Sequence, residues 1–77
     1  MRPGLLLKQL MTDCKVDVSR VAQRADTAPV YIQDIIRGKM NVTLGIAKEL
    51  EKVFNIPIEE WMEPNLEDED QFPDGKL

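Results

Sequence analysis

Seventy-seven residues give room for one small domain with a modest core and none for a deep catalytic cleft. A hydrophobic content of 43 % against 31 % charged belongs to a chain that folds, and a single cysteine excludes an internal disulfide or a thiolate zinc site within one chain. The formal charge of −4 is unevenly spread: residues 1–62 hold nine Lys and Arg against eight acids, whereas residues 63–77 hold one lysine against six.

The first predicted helix runs from Pro3 to about Cys14, with Leu6, Leu7, Leu10, Met11 and Cys14 as its apolar stripe. Cys14 reads as a small buried hydrophobe. Asp17 is the expected N-cap of a second helix, where Val18, Val21, Ala22 and Ala25 recur at i, i+3, i+4 and i+7. A turn follows at Asp26 and Thr27. Ala28-Pro29 opens a third helix, since proline at the first helical position loses no hydrogen bond. Ile32, Ile35 and Ile36 face inward along it, and Gly38 ends it. Thr43 caps a fourth helix over Leu44–Phe54, whose expected inner face is Leu44, Ala47, Leu50 and Phe54. Asn55 suits the left-handed residue that follows. Ile56-Pro57 starts a short fifth helix that ends at or before Glu63, because Pro64 biases its predecessor away from the helical region. Ile58 and Trp61 are expected to fold back on the core, with Trp61 read as buried before it is read as an interface anchor. Beyond Pro64 periodicity is lost in a run of acids and a Pro-Asp-Gly turn signal, and this stretch is expected to be mobile. The expected architecture is all-α: five helices in a domain over residues 1–62, with a flexible acidic tail over residues 63–77.

The chain has no histidine, no phosphate-cradling glycine loop, and no nucleophile paired with a base. Enzymatic activity, a metal and a cofactor are therefore not expected. The N-terminus lacks the build of a signal peptide, and the longest apolar run, Leu5–Leu7, is too short to span a bilayer. A cytoplasmic location without membrane association is expected. The informative stretch is Val18 to Lys39, two short amphipathic helices about a tight turn, an arrangement whose second helix can enter a major groove.

Val21-Ala22, Ala28 through Ile32, Arg37-Gly38-Lys39 and Ala47-Lys48-Glu49-Leu50 together resemble the Cro and phage-repressor type (XRE) helix-turn-helix family, which has the lambda-repressor-like fold. Within it, Arg2-Pro3-Gly4 and Ile56-Pro57-Ile58-Glu59-Glu60-Trp61 are similar to the opening and closing motifs of HigA-like antitoxins. The resemblance covers residues 2 to 62. It implies that Ala28, Pro29, Val30 and Tyr31 face base edges, with Gln33 and Asp34 one turn on. It also implies that Thr27, Lys39, Asn41 and Thr43 hold phosphates, and Arg37, at the end of the third helix, is expected to join them.

The base-facing set departs from the family, many of whose members carry Gln, Ser, Arg or Thr there. Pro29 and Val30 offer only apolar contact, best suited to a thymine methyl, while Gln33 can pair with adenine. Tyr31 can give its hydroxyl to a phosphate or its ring to a sugar or base; the blander alternative leaves it on the bare surface, with Val30 half-packed. Asp34 is at odds with nearby phosphates and reads first as a surface partner of Arg37.

The resulting expectation is a sequence-specific transcriptional regulator of double-stranded DNA, homodimeric, as in phage or mobile-element repressors and autoregulating antitoxins. A protein-interaction module that has kept the fold and lost DNA binding is the rival. The tail carries three readings: a solubilising extension, a competitor for the DNA face, or an arm that binds a toxin or another protein. In the last, Leu66 and Phe72 anchor it while Glu67, Asp68, Glu69 and Asp70 meet a basic surface.

Overall fold

The computed structural model describes residues 1–66, which form five helices and no strand: α1 (Pro3–Cys14), α2 (Val18–Arg24), α3 (Pro29–Ile36), α4 (Leu44–Phe54) and α5 (Ile58–Trp61). Four of the five starts have a local chemical cause. Asp17 Oδ1 accepts the Arg20 backbone N–H at 2.8 Å, and Thr43 Oγ1 accepts that of Ile46 at 3.2 Å. Both satisfy a donor that the helix itself leaves unpaired. Proline opens α1 and α3.

The ends of the first four helices share one device. Lys15, Asp26, Gly38 and Asn55 all have positive φ, between 56° and 76°. After α1, α2 and α3 the next N–H reaches back to a carbonyl in the last turn: Val16 to Met11, Thr27 to Ala22 and Lys39 to Asp34, at 2.9–3.0 Å. This is the paired closure in which a left-handed residue reverses the chain and satisfies the final carbonyls. Between α2 and α3 it makes the tight turn centred on Asp26.

The core is Leu7 and Met11 from α1, Val21, Ala22 and Ala25 from the α2 region, Ile32 and Ile35 from α3, Val42 from the loop, Ala47 and Leu50 from α4, and Trp61. Full burial of each large side chain contributes about 1.5–3 kcal/mol. Trp61 also donates its indole N–H to the Ile56 carbonyl at 3.2 Å and stands 6.1 Å from the Phe54 ring centroid. Ile58 packs against the same cluster.

Three expectations are corrected. Leu44 is 53 % exposed, and Ile46 takes its place against the core. At 100° per residue, the six positions between Leu44 and Leu50 leave them a third of a turn apart, so they cannot share one face. Cys14 is exposed. It lies on the same side of α1 as Leu7, but at the last residue, past the layer of core that covers the stripe. Asn65 falls in the stretch expected to be mobile, yet it is 1 % exposed and held by hydrogen bonds to three other segments. Glu67, Asp68, Glu69, Asp70 and Phe72, assigned to a partner-binding arm, lie outside the described residues, while Leu66 is exposed.

Candidate nucleic-acid interface

The third helix presents two faces. Ile32 and Ile35 point into the core, and the helical repeat then puts Val30, Gln33, Asp34 and Arg37 on the opposite side, with Pro29 and Tyr31 on its two flanks. Ala28, Pro29, Val30, Tyr31 and Gln33, the candidate base-contacting set, are all exposed. Val30 at 54 % and Tyr31 at 48 % leave large apolar groups in solvent at the first turn of the helix. Apolar surface there costs free energy unless something covers it.

Beside that turn lies an open cleft of about 560 Å³ between the α2–α3 turn and the start of α4. Thr27, Tyr31 and Thr43 line it, so three of the candidate contacts converge on one feature. The Thr43 oxygen that caps α4 keeps its hydroxyl proton for a further acceptor. The Thr27 hydroxyl makes no hydrogen bond among the described residues, while its backbone N–H is used by Ala22. The ends of this surface are two helix starts, whose unpaired N–H groups favour anions.

Lys39 and Arg37 are exposed just past α3, and neither forms an ion pair among the described residues. The Asp34–Arg37 pair read from the sequence is thus not made. Arg37 leaves the helix as its closing residue, and Asp34 is half-buried with its carbonyl accepting the Lys39 N–H.

Asn41 has a second duty beside the phosphate contact expected of it. Its side-chain oxygen accepts the Asn65 N–H at 2.8 Å, which leaves only its NH₂ for a phosphate. Asn65 in turn accepts the Gly4 N–H at 2.7 Å and donates to the carbonyls of Ile35 and Met40, each at 2.8 Å. It pins the loop that carries Lys39, Asn41 and Thr43 to the start of α1 and the end of α3. No short-range pattern marks Asn65, because its partners lie 24 to 61 positions away.

Two acids were also missed. Asp26 and Glu49 line the cleft with the threonines, and among the described residues only Glu49 of the two forms an ion pair, with Lys52 at 3.8 Å. Among the described residues no three His, Cys, Asp or Glu side chains could hold a metal ion, and no helix is long and apolar enough to cross a membrane.

Comparison with protein families gives a match to Helix-turn-helix over residues 7–61. Neither the curated proteins nor the solved structures contain a match.

Proposed function

This chain belongs to the helix-turn-helix family, a family of DNA-binding regulators, and we propose that within it the protein is a homodimeric, sequence-specific repressor of the autoregulating antitoxin or mobile-element kind. The observation that carries this reading is that Tyr31, from the exposed first turn of α3, meets Thr27 and Thr43 on one cleft. In the proposed complex α3 enters the major groove. Val30 and Pro29 meet thymine methyls, Gln33 reads adenine, and Ala28 lets the backbone approach. Thr27, Arg37, Lys39, Thr43 and the free NH₂ of Asn41 hold phosphates and fix the register.

Two half-sites would offset the weak charge. Residues 1–66 carry nine Lys and Arg and nine acids, so one protomer has few phosphate contacts to contribute. A dimer on a two-fold operator doubles them. The similarity of Arg2-Pro3-Gly4 and of Ile56 through Trp61 to antitoxin motifs supports a toxin as the regulating partner, since nothing in the described residues resembles a sensor domain.

The second reading, an interaction module without DNA binding, is favoured by a specific observation: Asp26 and Glu49 in the cleft and Asp34 beside the reading face all repel phosphate. Selection from random duplexes by gel shift, at low and near-physiological salt, separates the two. Recovery of a palindromic site supports the dimeric repressor, and the absence of any shifted complex at low salt would leave the interaction module.

A further inference from the structure

At the other end of α4 from the cleft, a hollow of about 90 Å³ opens between the helices, lined by Cys14, Val16, Arg20, Arg24, Val53 and Phe54. It is several times smaller than a small-molecule site and suits part of one side chain. Val16, Val53 and Phe54 make its apolar wall. Arg20 and Arg24 make its rim, one turn apart on α2, both exposed and neither in an ion pair among the described residues. Like charges at this spacing repel, and an anion lying across both relieves that repulsion.

We propose that the acidic segment of the same chain, Glu67-Asp68-Glu69-Asp70-Gln71-Phe72, docks in this hollow, with Glu69 and Asp70, three and four steps past Leu66, along Arg20 and Arg24 and the Phe72 ring over the apolar wall. The segment sets four acids just ahead of one aromatic, the complement of a basic rim around an apolar hollow. Its reach is sufficient. Asn65 is tied to Gly4 at the start of α1, and Cys14 stands at the other end of that helix. Ten residues of helix span about 15 Å. The six steps from Leu66 to Phe72 extend to about 20 Å. The tether keeps the segment at a millimolar effective concentration, so weak contacts suffice to hold it. Docking there covers Cys14 and leaves the α3 surface open.

Cys14 is the only cysteine and serves as the reporter. Its alkylation by iodoacetamide, a neutral reagent that the tail's charge does not repel, is followed in the full chain, in Phe72→Ser and in the double variant Arg20→Gln/Arg24→Gln. Both variants are expected to react about three- to tenfold faster than the unsubstituted chain at low salt. That advantage should shrink as salt screens the carboxylate–arginine contacts. Equal rates in the unsubstituted chain and Phe72→Ser overturn the proposal. So does protection that grows with protein concentration, which would assign the segment to a second copy. An arginine variant that loses DNA affinity with no change in Cys14 rate would give the arginines to phosphates instead.

Discussion

Asn65 uses both of its amide hydrogens, its side-chain oxygen and its backbone N–H, all in a site 1 % exposed. Its replacement strands a buried N–H on Gly4 and removes a donor from two buried or half-buried carbonyls. Each stranded group costs about 1–3 kcal/mol. Asn65→Leu should therefore lower stability by about 2–4 kcal/mol, read as a fall in the urea midpoint without a change in slope; a midpoint within error of the unsubstituted chain would show that the network is not structural. Gly4 belongs to the same contact. A Cβ there would collide with the Ile35 carbonyl oxygen and lie 2.9 Å from Asn65 Oδ1, whereas a Cβ on Gly45 would meet nothing within 4 Å. The two glycines should thus respond oppositely to alanine. Gly4→Ala forces backbone apart and is expected to destabilise by about 1–3 kcal/mol. Gly45→Ala in α4 removes a flexible residue from a helix and is expected to stabilise by up to about 1 kcal/mol. Thermal denaturation of the pair distinguishes close packing from helix propensity, and a shared sign would contradict the assignment.

At the scale of the helices, what could be read from the sequence was whatever is decided within four or five residues. Asp17 and Thr43 are caps because their oxygens reach an N–H three positions on, and Gly38 and Asn55 end their helices with residue types that tolerate positive φ. Lys15 takes the same conformation without advertising it, and Asp26 showed only as part of a turn. There the reversal is set by the bonds from Val16 to Met11 and from Thr27 to Ala22, and by Val16 packing on the core. Leu44 failed for a geometric reason, since spacings of three accumulate error around a helix of 3.6 residues per turn. Of the site, the α3 start and the Thr43 cap were legible, whereas Asn65 and the acids of the cleft depend on distant segments meeting. The strained turn yields a prediction. A non-glycine residue in the left-handed region is disfavoured, although aspartate tolerates it better than most. Asp26→Gly should raise stability by about 0.5–1 kcal/mol, and Lys15→Gly by a similar amount. Asp26→Gly also removes an acid from the cleft, so in the proposed complex it should tighten DNA binding, while Lys15→Gly should not. Urea titration together with a gel shift on both variants checks the two halves separately.

For the whole molecule, charge governs how the proposed repressor meets DNA. Residues 1–66 are neutral overall and the net −4 lies entirely in residues 67–77. Each phosphate neutralised by Lys39 or Arg37 releases a counterion, so Lys39→Ala should reduce the slope of log affinity against log salt by about one unit and weaken all sequences alike. An unchanged slope would remove Lys39 from the phosphate contacts. The acidic segment acts on the same balance from a distance, because DNA repels it over about a Debye length, near 10 Å at 0.1 M salt. Truncation after Leu66, which keeps Asn65 and its hydrogen bonds, should therefore tighten DNA binding at low salt, with the gain fading as salt rises. A cut after residue 62 would confound this by removing Asn65 and loosening the loop that carries Lys39 and Thr43. If the acids of the tail are neutralised by Arg20 and Arg24, the gain on truncation is small in the unsubstituted chain and larger in Arg20→Gln/Arg24→Gln, where the segment is released toward the DNA. Affinities of the four proteins at two salt concentrations measure that coupling, and equal gains in both backgrounds would mean that the tail and the arginines act independently.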